Sequence, residues 1–186
     1  IVPAYNEEKT ILEVIKRIKN VPLGYGISKE IIIIDDFSND NTRNLLKTIK
    51  DNDVKIFYQD RNYGKGMALR TGFRNATGHV MIIQDADLEY EPEEYPKLLK
   101  PIQEGKDVVF GTRLSYIKEN VKDMNKLHYI GNKFLTFVTN LLYGSSLTDM
   151  ETGFKVFRRE VLKGMKLNSM KFEIEPELTA KILKKG

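Results

Sequence analysis

A chain of 186 residues that is 41% hydrophobic is long enough to bury the core of one compact domain. Lys and Arg outnumber Asp and Glu by only 30 to 26, a net charge of +4, which suits phosphate or an anionic membrane surface as a partner and gives no reason to expect nucleic acid. The lack of Cys excludes disulfides, thiolate zinc sites and a catalytic thiol, and with only two His any metal is expected to be oxygen-ligated, which favours Mg2+ or Mn2+.

Ile1 and Val2 read as the end of a first strand. After "PAYNEE", Ile11, Leu12, Ile15 and Ile18 share one helical face with Val14 at its margin, and this helix should stop before Pro22. "IIII", Ile31 to Ile34, reads as a strand buried on both faces, as parallel strands are. "SNDNT" then offers several N-caps for a helix carrying Leu45, Leu46 and Ile49. "VKIFY" (Val54 to Tyr58) is a third strand, "GKGMALRTGFRNA" a loop entering a helix, and "VMIIQ" (Val80 to Gln84) a fourth strand. "YPKLLKPI" is a helical segment interrupted or ended near Pro101, and "DVVFGT" is a further strand. Beyond residue 115 a mostly helical stretch carries Phe134, Leu135, Val138, Leu141 and Leu142, which the pattern assigns to a core helix. "TGFKVFRREVL" should pair with the sheet, and "EPELTAKILKK" is a last amphipathic helix with Glu early and Lys late.

Strand alternating with helix predicts an α/β domain with an open, mostly parallel sheet. No apolar run reaches the ~20 residues of a membrane-spanning helix. Because the chain starts without Met inside a strand and stops after a helical pattern, residues 1–186 are expected to be one domain truncated at both ends.

Two apolar strands end in carboxylates, Asp35 and Asp36 after the first, Asp85 and Asp87 in "DAD" after the second. Ligands of open α/β sheets bind beyond the carboxyl ends of strands. In an extended segment Asp85 and Asp87 point to the same side, so Asp87 could hold a cation while Asp85 contacts the same ligand. Carboxylates this close repel one another unless a cation or donors compensate, and Mg2+ or Mn2+ on one or two carboxylates is commonly completed by substrate phosphates. The competing reading is that both pairs are N-caps following strands. Phosphatases with an aspartyl nucleophile also use DxD, but Leu88 and Glu89 stand where they carry Thr or Val.

"VPAYNEE", "IIIIDDFSNDNT", "NYGKGMAL", "QDADLEYEP", "FGTR" and "DMETGFKVFRREVL", in this order and spacing, resemble the family 2 glycosyltransferases of GT-A fold, and within them the polyprenyl-phosphate sugar transferases. The resemblance spans nearly the whole chain. It implies a nucleotide pocket lined by Pro3, Tyr5, Glu7, Ile34 and Asp36, with Asp36 on the base or ribose. It places Asp85 and Ala86 by the ribose or sugar, Asp87 on the metal, and Glu89 where several relatives have Gln near the metal. Lys65 and Arg113 fall where phosphate or donor sugar is met, which makes Asp87, Asp85 and Arg113 the catalytic candidates. Asn132, Lys155, Arg158 and Glu175 resemble acceptor-side positions.

The resemblance implies metal-assisted single displacement with inversion, moving mannose or glucose from GDP-mannose or UDP-glucose to a polyprenyl phosphate at the cytoplasmic face of a membrane. An acceptor phosphate is already ionised near neutral pH and needs no strong base. Three alternatives stand beside this reading. One is transfer to a saccharide hydroxyl, for which Glu173, Glu175 and Glu177 are base candidates; the Trp motif of processive synthases is missing, since the chain has no Trp. The others are a non-catalytic nucleotide-sugar-binding module and a nucleotidyltransferase, although "VPAYNEE" lacks the Gly-rich loop of the latter.

Overall fold

The computed structural model describes residues 1–112, 126–150 and 152–185. In chain order these form β1 (Val2–Ala4), α1 (Ile11–Asn20), β2 (Ile31–Asp35), α2 (Thr42–Lys47), β3 (Val54–Tyr58), α3 (Lys65–Asn75), β4 (Val80–Ile82), α4 (Tyr95–Gln103), β5 (Val108–Phe110), α5 (Lys126–Tyr143), β6 (Lys155–Arg158) and α6 (Ile174–Lys185). Strands β1, β2 and β3 are parallel, with Val2 opposite Ile33 and Ile33 opposite Ile56. Strands β4, β6 and β5 pair antiparallel in that spatial order. Ile1 joins the two sets: its N donates to Ile82 O at 2.7 Å and its O accepts from Gln84 N at 3.0 Å. The chain therefore moves outward from β1 to β3, then crosses to the other flank of β1 to lay down β4. That reversal opens a crevice between the carboxyl ends of β1 and β4.

The four isoleucines of β2 serve both faces of the sheet. Ile31 and Ile33 pack with Val14, Ile15, Ile18 and Leu99 under α1 and α4, whereas Ile32 and Ile34 pack against Ala68 of α3. All four are at most 2% exposed, and burying each contributes about 1.5–3 kcal/mol, so the end of β2 is a rigid platform. On the α3 and α6 side, Leu69, Met81, Ile83, Phe157, Ile174 and Leu178 close the second core. Lys29 terminates α1 by donating from its ammonium to the carbonyls of Ile18, Lys19 and Val21.

The sequence expectations are corrected on α1 and α5. On α1 it is Val14 that is fully buried and Leu12 that faces out, 42% exposed, because the α1–sheet contact centres on Ile11, Val14, Ile15 and Ile18. Pro101 lies in the last turn of α4, which ends at Gln103. The open sheet is as expected, with β6 added antiparallel between β4 and β5. On α5 the buried residues are Asn132, Thr136 and Thr139, while Phe134, Leu135, Leu141 and Leu142 are exposed. Its polar side faces inward because Asp149 and Met150 supply the partners: Asn132 Nδ2 donates to Asp149 Oδ1 at 2.7 Å, and Thr136 Oγ1 accepts from Met150 N at 3.1 Å.

Candidate active site

The loop after β1 and the loop after β2 are stitched together. Asn6 N donates to Ser38 Oγ at 2.9 Å, Glu7 N to Thr42 Oγ1 at 2.8 Å and Glu8 N to Asp40 Oδ2 at 3.1 Å. In the other direction, Asn39 N donates to Asn6 Oδ1 and Asn41 N to Glu8 Oε2, both at 2.9 Å. "SNDNT" thus places the side chains of Ser38, Asp40 and Thr42 on the neighbouring loop, and Asn41 makes no side-chain cap bond to α2, whose first N–H, Thr42 N, donates to Asp40 Oδ1 at 2.9 Å. Asp35 is buried beneath, accepting from Ser38 N and from Arg43 Nε at 2.6 Å, so it braces this loop.

Asp36, 3% exposed, accepts Tyr63 N at 2.8 Å on one carboxylate oxygen and Gly64 N at 2.7 Å on the other, which ties the end of β2 to the start of α3. Burial raises its carboxyl above the ordinary range against those two donors, with Asp35 adding to the rise. Gly64, at φ 92°, is where a β-carbon would stand 2.7 Å from Met170 O. At Gly66 it would stand 2.5 Å from Ser169 O, so the first turn of α3 lies directly against segment 169–171.

After β4 the chain turns at Ala86 and Asp87 rather than staying extended, and Leu88 takes the left-handed conformation at φ 66°. Glu89 N then donates to Asp87 Oδ1 at 3.0 Å. Asn6 and Phe37 adopt the same left-handed conformation, at φ 58° and 65°, in the two stitched loops. Local strain of this kind at three converging loops is typical of ligand sites.

These loops line a cleft of about 860 Å³ whose walls include Pro3, Tyr5, Glu7, Asp36, Lys65, Asp85, Ala86, Asp87, Glu89 and Glu175. Lys65 Nζ lies 2.6 Å from Asp85 Oδ1 and 2.9 Å from Glu175 Oε1, and the other oxygen of Glu175 meets the ammonium of Lys155. A row of alternating charge, Asp85, Lys65, Glu175, Lys155, therefore runs from the cleft into the core. Burial works to lower Lys65, but Asp85 and Glu175 outweigh it and hold the ammonium above its ordinary pKa. Burial raises Asp85 despite Lys65, with Glu175 and Asp87 adding to the rise. Burial also raises Glu7, and Asp87, Asp40 and Asp85 add to the effect. Among the described residues the cleft is thus a crowded set of carboxylates with few cations.

Two supports escaped the sequence reading. Gln84 is fully buried and clamps the Asp85–Tyr90 turn at both ends: its Nε2 donates to Asp85 O and Tyr90 O, each at 3.0 Å, and its Oε1 accepts from Tyr95 O–H at 2.9 Å. Gly153 stands where a β-carbon would come within 2.4 Å of Asp85 Oδ2, and its N donates to Tyr90 O–H at 2.7 Å. A polar residue closing an apolar strand was the available signal for Gln84. Gly153 offered none, because β6 reaches the site only through tertiary pairing.

Other expected positions lie elsewhere. The Ile34 side chain is buried against α3 and does not line the cleft. Lys155 is fully buried, also donating to Thr152 O, so it supports Glu175 from below instead of facing an acceptor. Arg158 sits opposite Val80 at the far end of β4 and binds Ile102 O and Asp107, away from the cleft. Asn132 is buried on α5 against Asp149. Arg113 lies outside the described residues.

Fold and cleft together define an α/β domain with its candidate site at the strand-order reversal. The family model for glycosyl transferase family 2 matches residues 1–165, and the chain belongs to that family. It is 33% identical over 186 residues to dolichol-phosphate mannosyltransferase of Pyrococcus furiosus, covering 97% of this chain and 51% of that one. It is 32% identical over 168 residues to undecaprenyl-phosphate 4-deoxy-4-formamido-L-arabinose transferase of Proteus mirabilis, covering 89% and 50%. An uncharacterized protein of Methanocaldococcus jannaschii is 34% identical over 192 residues, covering 100% and 75%. The chain thus spans about half the length of the two named transferases. Among solved structures, glucosyl-3-phosphoglycerate synthase of Mycobacterium tuberculosis with UDP superimposes at a TM-score of 0.71 and 23% identity, covering 94% of this chain and 60% of that one. The same enzyme with Mn2+ and UDP-glucose gives 0.66 and 24%, with coverage of 94% and 60%. The fold is of the GT-A type.

Proposed function

We propose that this domain transfers a hexose, mannose or glucose, from a nucleotide diphosphate sugar such as GDP-mannose or UDP-glucose to a polyprenyl phosphate of the dolichyl type. The observation that carries this reading is the convergence of Asp36, Asp85, Asp87 and Lys65 on one cleft at the carboxyl ends of β1, β2 and β4. The lipid-phosphate acceptor is supported by the names of the two transferases above.

Among the described residues six carboxylates, Glu7, Asp36, Asp85, Asp87, Glu89 and Glu175, face the cleft against two lysines, Lys65 and Lys171. A diphosphate entering such a site is repelled unless a cation accompanies it. Asp87 and Glu89, both exposed, would hold Mg2+ or Mn2+. Among the described residues no three His, Cys, Asp or Glu gather closely enough to hold a metal alone, which fits a hard cation completed by phosphate oxygens and water. The Mn2+ in the solved neighbour is consistent with this. When bound, the cation neutralises charge developing on the diphosphate leaving group.

The chain's own groups do the rest. Asp36, held by Tyr63 N and Gly64 N, keeps further lone pairs for a nucleoside hydroxyl or base N–H. Lys65 exchanges Asp85 for a diphosphate oxygen, which frees Asp85 to accept from a hydroxyl of the donor sugar. The acceptor phosphate oxygen forms its bond to C1 as the bond from C1 to the diphosphate oxygen breaks, so configuration inverts and no base is needed. Arg113 remains the candidate second cation for the leaving group.

A membrane surface is the proposed place of reaction, on the cytoplasmic side. Among the described residues no helix is long and apolar enough to cross a membrane. Helix α5 exposes Ile130, Phe134, Phe137, Leu141 and Leu142, each more than 60% accessible, a face suited to rest on lipid. The test is incubation of the protein with vesicles containing polyprenyl phosphate, Mg2+ or Mn2+, and a panel of labelled nucleotide sugars. A mild-acid-labile glycolipid from one donor is expected. Label confined to a water-soluble saccharide would overturn the lipid acceptor, and binding without turnover would favour a non-catalytic module.

A further inference from the structure

A second cavity, of about 800 Å³, opens at the other end of α3 from the cleft, between α3 and the segment 159–168. Its mouth is basic. Arg70 and Arg74 project from successive turns of α3, and Arg159, Lys163 and Lys166 face them from the opposite wall, with Glu160 the one acidic residue of the lining. Its floor is apolar, built from Phe73, Met81, Leu162, Met165 and Leu167.

The arginines stand out by their partners. Arg17, Arg43 and Arg158 each pair with a carboxylate elsewhere in the molecule. Around this cavity Arg70 donates only to Asn168 O at 3.4 Å, Arg74 to Thr71 Oγ1 at 3.3 Å and Arg159 to Thr77 O at 3.1 Å. Among the described residues none of the three has a carboxylate partner. Three guanidinium groups lining one cavity, none of them paired with a carboxylate among the described residues and with Glu160 alone beside them, raise the local potential for an anion, and their planar donors match phosphate in pairs. Like charges are costly to gather at one mouth unless something negative is received there. The apolar floor adds a second requirement, because inorganic phosphate alone would leave it wet.

We propose that this cavity binds a phosphate-bearing anion with an apolar body, phosphate at the Arg70, Arg74 and Arg159 mouth and the apolar part on Phe73, Met81 and Met165. The site is separate from the cleft: Lys65 and Arg74 are nine residues apart on α3, or about 14 Å along the helix. The ligand chemistry is common to a soluble phosphate ester and to the headgroup region of an acidic lipid.

Met81 and Met165 give a direct readout by methyl-labelled methionine NMR, with Met170, beside the cleft residue Lys171, as the reporter for the other site. Titration with phenyl phosphate is expected to shift the Met81 and Met165 methyls saturably, and phenol or inorganic phosphate alone to do so far more weakly. Arg70→Gln with Arg74→Gln should weaken the phenyl phosphate response about tenfold or more, and Arg159→Gln alone should weaken it in the same direction. Shifts confined to Met170, or a response equal in all variants, would overturn the proposal. Vesicles of phosphatidylcholine with phosphatidic acid separate the sources: broadening of the same two methyls, absent with phosphatidylcholine alone, assigns the site to lipid. Response to phenyl phosphate only assigns it to a soluble ester.

Discussion

Lys65 lies between Asp85 and Glu175, 2.6 Å from one carboxylate and 2.9 Å from the other, and so joins the loop after β4 to the first turn of α6. The same ammonium compensates the DxD carboxylate and, in the proposed reaction, meets a diphosphate oxygen. Replacing it with Met leaves Asp85 and Glu175 facing each other without their shared cation. Lys65→Met is expected to lower kcat/KM about a hundredfold and stability by about 3 kcal/mol, with Lys65→Arg recovering part of both. Steady-state kinetics and urea unfolding measure the two effects, and wild-type kinetics in Lys65→Met would remove Lys65 from the site.

Gln84 is expected to act through the turn it clamps. Gln84→Leu keeps the volume but leaves the Asp85 and Tyr90 carbonyls and the Tyr95 hydroxyl without their partner, at a cost of about 1–3 kcal/mol. Because Asp87 and Glu89 ride on that turn, the metal concentration for half-maximal activity should rise several-fold more than the KM for acceptor. A uniform loss across both parameters would mean that Gln84 contributes stability alone.

Glu30 supplies a pH signature independent of the site. Burial opposes its ionisation, but Lys55, the N–H groups of Thr77 and Gly78 and the Thr77 hydroxyl outweigh that and bring its carboxyl down from 4.5 to about 2. A depressed carboxylate stabilises the fold above its ordinary pKa, and the benefit is lost as pH falls toward the folded value. Wild type should therefore exceed Glu30→Ala in stability at neutral pH, and the gap should shrink between pH 4.5 and about 2. A gap independent of pH over that window would contradict the assignment.

The exposed face of α5 gives a binding prediction. Phe134→Ser with Phe137→Ser removes two rings that are each 64% exposed, so stability should change little. Sedimentation with phospholipid vesicles is expected to fall several-fold, while turnover of a short, water-soluble polyprenyl phosphate analogue is retained. Unchanged sedimentation would leave α5 without a role at the membrane.

Much of this architecture was legible in the sequence because it is local. Ile31 to Ile34, Val54 to Tyr58 and the helix after Gly64 announce themselves by periodicity and by glycine, and carboxylates at strand ends point to the crevice. What was not legible depends on distant partners. "SNDNT" looks like a run of caps until Asn6, Glu7 and Glu8 are beside it. Lys155 resembles an acceptor-side position in the sequence, yet pairing of β6 between β4 and β5 carries it into the core, where Glu175 compensates it. Helix α5 misled for a related reason: its inward side is polar, and the groups that satisfy it lie around Asp149 and Met150.

The most direct test of the central claim compares wild type with Asp87→Asn in a single reaction: labelled GDP-mannose or UDP-glucose, Mn2+, and vesicles carrying polyprenyl phosphate, followed by organic extraction. The account predicts lipid-phase label in wild type, released by mild acid, and a loss of about a hundredfold or more in Asp87→Asn while the fold is retained. Lipid-phase label formed equally by Asp87→Asn would contradict it.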